Sequence, residues 1–195
     1  MKLKLLFLLP LFGLAVQGYS QQPVISVTGG FNFAKWKFDE KIKANQSKLG
    51  ILFGAAVDIP VQDEFSAQTG LQIGMFGTHL ENSFEEAIYK TTYLLIPMLG
   101  KYHFGHGISA HAGPEIGFLM GANSVLDGDH YNFKDDMKKM DILLVLGGEY
   151  TFENNLSLGL RIHHGLTNVE DYGNNTLHNR AVTVMASYPI NNFIK

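Results

Sequence analysis

The sequence predicts an all-β fold: an eight-stranded antiparallel up-and-down transmembrane β-barrel preceded by a signal peptide. Three observations carry that expectation. Apolar residues alternate with small or polar ones in eight segments, which is the period of a strand whose successive side chains point to opposite faces. The connections between those segments alternate long and short, as in an outer-membrane barrel. The composition is poor in charge, 17% against about 25% in ordinary soluble domains, and 21 of 195 residues are glycine. No apolar run reaches the roughly 18 residues of a spanning helix.

The chain opens with Lys2 and Lys4, continues with an apolar stretch from Leu5 to Val16 broken only by Pro10 and Gly13, and then offers Gly18 and Ser20 as small residues before Gln21. This is the three-part layout of a secretory signal peptide. A membrane anchor is the other reading, but the stretch is short against the ~20 residues a spanning helix takes. The domain organisation is therefore 1–20 signal peptide and 21–195 barrel. Removing the two lysines moves the net charge from −3 to −5. An acidic chain has no basic excess to neutralise phosphates along a nucleic acid, so that partner class is excluded. Cysteine is absent, which excludes disulfides, thiolate catalysis and Cys-ligated zinc.

The clearest strand runs from Leu156 to Leu166: Leu156, Leu158, Leu160 and Ile162 alternate with Ser157, Gly159, Arg161 and His163. From Val24 to Phe33, Ile25, Val27, Phe31 and Phe33 oppose Ser26, Thr28, Gly30 and Asn32. From Gly50 to Ile59, Ile51, Phe53, Val57 and Ile59 oppose Gly50, Gly54, Ala56 and Asp58, with Leu52 as an exception. From Phe65 to Met75, Phe65, Leu71, Ile73 and Met75 oppose Ser66, Gln68, Gly70, Gln72 and Gly74. Four further strands are expected over Tyr93–Phe104, Ile108–Met120, Ile142–Phe152 and Ala181–Tyr188. The long connections fall at 35–47, 78–90, 123–139 and 168–178, and the short ones at Pro60–Glu64, Gly105–Gly107 and Glu153–Asn155. Both termini then lie at the short-turn end, the periplasmic side.

The alternation does not by itself say which face looks inward. A soluble carrier barrel turns its apolar face to a cavity, whereas a membrane barrel turns it to lipid. Three features favour lipid. The polar faces are rich in Gly, Ala and Ser, which suits the narrow interior of an eight-stranded barrel. Phe65, Tyr102, Phe104, Tyr150, Phe152 and Tyr188 share the apolar parity and lie near the short turns, forming a periplasmic aromatic girdle. Charges such as Asp127, Asp129, Lys134, Asp135, Asp136, Lys138 and Lys139 gather in a long connection. Since hydrocarbon offers no partner to an open edge, the strand from Ala181 is expected to pair with the strand from Val24. Pro97 and Pro114 fall inside strands, so a bulge or a locally unpaired position is expected at each.

The polar parity also carries Lys101, Glu115, Glu149 and Arg161 at matching depth. Unpaired charges in a narrow barrel are expensive. The expectation is a lumenal ion-pair network that plugs the interior in place of an oily core; a gate or ion path is the other reading of the same four residues.

The stretch from Thr91 to Gly121, with Ile96-Pro97, Gly100-Lys101-Tyr102 and Ala112-Gly113-Pro114-Glu115, resembles the PorT-like outer membrane protein beta-barrel domain family of Bacteroidetes-type bacteria. Asp141 to Thr167 resembles it too, through Val145-Leu146-Gly147-Gly148-Glu149-Tyr150, Leu160-Arg161 and Gly165-Leu166-Thr167-Asn168, as does Gly29-Gly30-Phe31-Asn32-Phe33. The resemblance covers most of residues 24–190 and departs at the end, where Pro189 and a tail follow Tyr188. It implies an eight-stranded outer-membrane barrel and no single activity.

Residues that carry chemistry are few. His103, His106 and His111 surround one short turn, and His163-His164 are adjacent, but adjacent strand residues face opposite ways and cannot share one lumenal ion. Asp127-Gly128-Asp129 resembles the start of a calcium loop without its sixth-position Gly and twelfth-position Glu. His79, Ser83, Ser124, His130 and His178 lie toward the long connections with no spacing that ties them together. No catalytic residue, cofactor or metal is expected. The leading reading is a small, non-enzymatic outer-membrane barrel, monomeric, surrounded by outer-membrane lipid, with a structural or interaction role through the long loops. Its rivals are a secretion-system accessory or adhesion barrel, a narrow pore, and a soluble periplasmic carrier.

Overall fold

The computed structural model describes residues 22–38, 45–81, 86–126, 129–171 and 176–191. The expected signal peptide, 1–20, lies outside them, as do Ser83, Asp127 and Gly128. Eight long strands run in chain order: β1 (Val24–Phe38), β3 (Lys48–Gln62), β4 (Phe65–Glu81), β5 (Glu86–Gly105), β6 (Ile108–Leu126), β8 (Met140–Thr151), β9 (Ser157–Gly165) and β10 (Leu177–Pro189). Two short strands accompany them, β2 (Asn45–Gln46) against β4 and β7 (Asp129–Asn132) against β6.

Each long strand pairs antiparallel with its neighbours, and β1 pairs β10 from Ser26↔Pro189 to Phe38↔Leu177, which closes the ring. Closure satisfies the backbone groups that an edge would leave bare in hydrocarbon. The apolar parity faces out: Leu144, Leu158 and Leu160 are 48%, 46% and 56% exposed, while Arg161 is 0% and Glu149 8% exposed. All six girdle residues are exposed near the short-turn end, with Tyr102 against Phe104 and Tyr150 against Phe152, each pair T-shaped with ring centroids 4.9 Å apart. The turn between β5 and β6 passes through Gly105, His106 and Gly107, all at positive φ, a conformation glycine adopts without the Cβ cost.

Both prolines interrupt ladders without shifting register. The β4–β5 ladder passes from Gln72↔Leu95 to Thr69↔Met98 over the step holding Pro97, and the β5–β6 ladder passes from Pro97↔Glu115 to Gly100↔Ala112 over the step holding Pro114. A missing ladder donor accounts for both gaps. The register shifts of the β5–β6 ladder lie elsewhere, at Thr92/Tyr93 and His103/Gly105.

Two expectations are corrected. Strands extend well into three of the four segments read as long loops, while 168–171 stays irregular but for one bridge. β1 continues to Phe38, β4 and β5 pair up to Glu81↔Glu86, and the 123–139 segment is a β6–β7 hairpin followed by a short 3-10 turn at Lys134–Asp136. The inward residues there are mixed, apolar at Trp36 and Tyr89 and polar at Thr78 and Ser124, so the strands extend without a consistent apolar-out pattern. The lumen is also not polar throughout. Its extracellular half is a packed apolar cluster of Trp36, Leu52, Phe76, Tyr93, Leu95, Leu119, Leu143, Val169 and Leu177 with Met137. Leu52, the exception in its strand, points into that cluster. Inward glycines give it room: a Cβ on Gly74 would lie 2.7 Å from the Leu95 side chain, and one on Gly117 would lie 3.3 Å from both Leu95 and Tyr93.

Candidate functional site

The lumen is the place where charge, hydrogen bonding and cavities converge, and it has three levels. The periplasmic level is an open vestibule of about 350 Å³ lined by Ser26, Asp58, Ser66, Lys101, Glu149 and Ser157 among others. Lys101 comes from β5 and Glu149 from β8, and they form a buried ion pair across β6. Asp58 stands 3.7 Å from the Lys101 Nζ and accepts a hydrogen bond from Gln68 at 3.0 Å. Ser109 donates to Glu149 at 3.5 Å, and Ser66 Oγ bonds His103 Nε2 at 3.0 Å.

The middle level is closed. Arg161, fully buried, donates from Nε to His111 at 3.0 Å, from Nη1 to Gln72 at 3.5 Å and from Nη2 to Gln68. Glu115 accepts from or bonds His163 Nδ1 at 3.0 Å, and the His163 Nε2 meets Thr183 Oγ1 at 3.0 Å, which in turn donates to Asn32. Gln72, Glu115, Arg161, Asn32 and Thr183 are all at 0% exposure. Among the described residues, Glu115 Oε2 and Gln72 Nε2 have no hydrogen-bond partner. Phe76 stands edge-on to His163, ring centroids 5.9 Å apart, where the polar layer meets the apolar one.

The extracellular level sits over that apolar cluster. Asn179 donates to Asp141 at 2.9 Å and to Tyr93 Oη at 3.3 Å, and accepts from Trp36 Nε1 at 3.0 Å. A Met137↔Glu170 bridge ties the 133–139 segment to the chain after β9, and together they cover the apolar cluster, into which Met137 and Val169 pack. A cavity of about 260 Å³ remains between this cover and the wall, lined by Trp36, Tyr89, Phe133, Leu177, Asp136 and Glu170 among others. Its three rings pack on one another at 5.1, 5.6 and 6.2 Å.

All four predicted lumenal charges therefore point inward; Lys101, Glu149 and Arg161 are linked through Asp58 and Gln68, and Glu115 stands in a separate group with His163. Lys101 and Glu149 pair; Glu115 pairs with His163; Arg161 is satisfied by neutral acceptors. Their partners Asp58, Gln68, Gln72, His111 and His163 were legible as inward residues but not as partners. Only cross-strand register brings them together. The histidines near the turn separate: His103 bonds Ser66, His106 is exposed on the turn, and His111 is buried beside Arg161. His163 points in and His164 out, as the alternation requires. Ser124 is buried in the lumen whereas His178 lies on the outward parity of β10, so that pair is not assembled. Among the described residues, no group of three or more His, Asp or Glu is placed to hold a metal ion.

A family model described as "Outer membrane protein beta-barrel domain" matches residues 19–171. No curated protein sequence matches the chain. Among solved structures, Neisserial surface protein A is similar at 11% identity, over 86% of this chain and 99% of its own, with a TM-score of 0.54. The attachment invasion locus protein Ail of Yersinia pestis is similar at 11% identity, over 86% and 100%, with a TM-score of 0.45. OprG of Pseudomonas aeruginosa is similar at 10% identity, over 89% and 98%, also at 0.45. The likeness to Neisserial surface protein A speaks for the fold alone.

Proposed function

The chain belongs to the outer membrane protein beta-barrel domain family, and from that premise we propose that this outer-membrane barrel is a sealed, non-enzymatic scaffold that works through its extracellular rim. The observation that carries the reading is the division of the lumen. Its middle is filled with side chains at zero exposure, whereas its extracellular end extends into paired sheet and a cavity under a cover. A filled middle favours a structural or interaction role over a pore, because ions need a hydrated path. The outward-facing apolar rows argue against a soluble carrier, whose apolar face would line the cavity. We place the chain nearest the PorT-like members from Bacteroidetes-type bacteria, on the strength of its Gly100-Lys101-Tyr102 and Gly113-Pro114-Glu115 motifs. A monomer exported by its first 20 residues completes the proposal.

The test is a variant in which residues 129–136 are replaced by a short Gly-Ser linker. The expected result is normal membrane insertion, read as a mobility change on gels before and after boiling, with loss of adhesion or of secretion in the host. Unchanged host behaviour in both assays would leave the rim without a role.

A further inference from the structure

The outward face of β9, β10 and β1 changes character in one step near the extracellular rim. Phe33, Val182 and Ile162 stand directly opposite one another across the three strands, all exposed. The next outward row, in the same direct register, is Lys35, Arg180 and His164. One step higher Lys37 faces His178. Strands in a sheet lie about 4.8 Å apart, so the Lys35–Arg180–His164 row is anchored within about 10 Å. His164 lies in the field of Arg180, Lys37 and His178.

Like charges directly opposite on a sheet repel, and such a row needs an anion. None of the described residues supplies one: no ion pair among them involves Lys35, Lys37 or Arg180, and the buried Nε of Arg180 has no hydrogen-bond partner among them. We propose that this row is a binding site for the phosphate groups of an outer-leaflet lipid. The apolar row immediately below takes the acyl chains, and the cationic row meets the headgroup. The Arg180 guanidinium matches phosphate oxygens in a two-pronged geometry that a lysine does not offer. The register with the apolar belt is what selects a lipid over a free anion, since a free anion gains nothing from Phe33, Val182 and Ile162. The proposal goes beyond the rim's role as a contact surface and does not depend on it.

The test uses the full chain folded in zwitterionic detergent, with diphosphorylated lipid A, its dephosphorylated form and inorganic phosphate as probes. Retention is read by native mass spectrometry. The unaltered protein is expected to retain the diphosphorylated lipid at least tenfold better than the dephosphorylated one, a comparison that needs no variant. Lys35→Gln with Arg180→Gln is expected to abolish that preference, two surface cations at about 1 kcal/mol each being worth up to about thirtyfold. Lys90→Gln with Lys139→Gln, away from the row, is expected to leave it unchanged. Equal retention of the two lipids, or an equal loss in both variants, overturns the proposal. So does binding of inorganic phosphate through Lys35 and Arg180 without lipid preference. The boiling-dependent gel shift reports insertion separately, so failure of the barrel reading is distinguishable from failure of the site.

Discussion

At the scale of single residues, the lumen shows how a narrow barrel handles charge. Lys101 and Glu149 are both buried, and each is held chiefly by the other, with Asp58 3.7 Å from Lys101 as a lesser partner. Replacing one is therefore expected to cost more than replacing both. Lys101→Met should destabilise the folded barrel by about 3–5 kcal/mol, since it strands the Glu149 carboxylate, while Lys101→Met with Glu149→Leu should recover most of that loss. Urea unfolding in lipid vesicles measures both, and a double variant no more stable than the single would contradict the pairing. A glycine tests the same level by shape. A Cβ on Gly147 would lie 2.5 Å from His111 Nε2 and from the Leu160 carbonyl, and 3.0 Å from Arg161 Cγ. Gly147→Ala is expected to cost about 1–3 kcal/mol by overpacking the seat of Arg161. Gly121→Ala meets nothing within 4 Å and should be close to neutral in the same measurement.

At the scale of the strand, what was legible in the sequence followed contrast. Leu158, Leu160 and Ile162 against Gly159, Arg161 and His163 gave both the strand and its faces, because lipid and lumen demand opposite chemistry. β5 offered no such contrast. Tyr93, Leu94, Leu95 and Ile96 are apolar on both faces, so periodicity could not reveal that Tyr93 and Leu95 build an inner apolar cluster. The extracellular extensions do not follow the apolar-out pattern, since Trp36 and Tyr89 are apolar and turned inward beside outward Lys35, Lys37 and Lys90. The site's partners were hidden because His111, Gln72 and Arg161 come from three different strands, and their meeting depends on register, which one strand's pattern does not contain. The face assignment makes a prediction at this scale. Leu160→Arg places a charge in the middle of the outward belt and should cost about 2–4 kcal/mol of folding stability in vesicles, whereas Leu160→Phe should cost far less. A neutral Leu160→Arg would mean that this face does not meet lipid.

At the scale of the whole molecule, closure and filling act together. An eight-stranded ring is just wide enough for its own side chains, so whatever points inward must pack or pair. This chain does both in sequence along the axis: an ion pair and vestibule at the periplasmic end, a hydrogen-bonded layer around Arg161 and Glu115, then an apolar cluster beneath the covered mouth. Water can enter the two ends, where the cavities of about 350 and 260 Å³ lie, but the layer between them holds side chains at zero exposure. The apolar half matters most to this seal. A polar plug can hydrate and exchange partners, whereas a cluster of Leu52, Phe76, Leu95 and Leu143 offers water no partner and stays dry. The folded protein in a planar bilayer is therefore expected to give no stepwise conductance at ordinary voltages. Breaking Lys101–Glu149 alone should not open it, because the seal lies above that pair. Replacing Leu95 and Leu143 together with serine should lower the barrier first. Steady channels in the unaltered protein, or channels opened by Lys101→Met with Leu95 and Leu143 intact, would show that the charged level, and not the apolar one, closes the barrel.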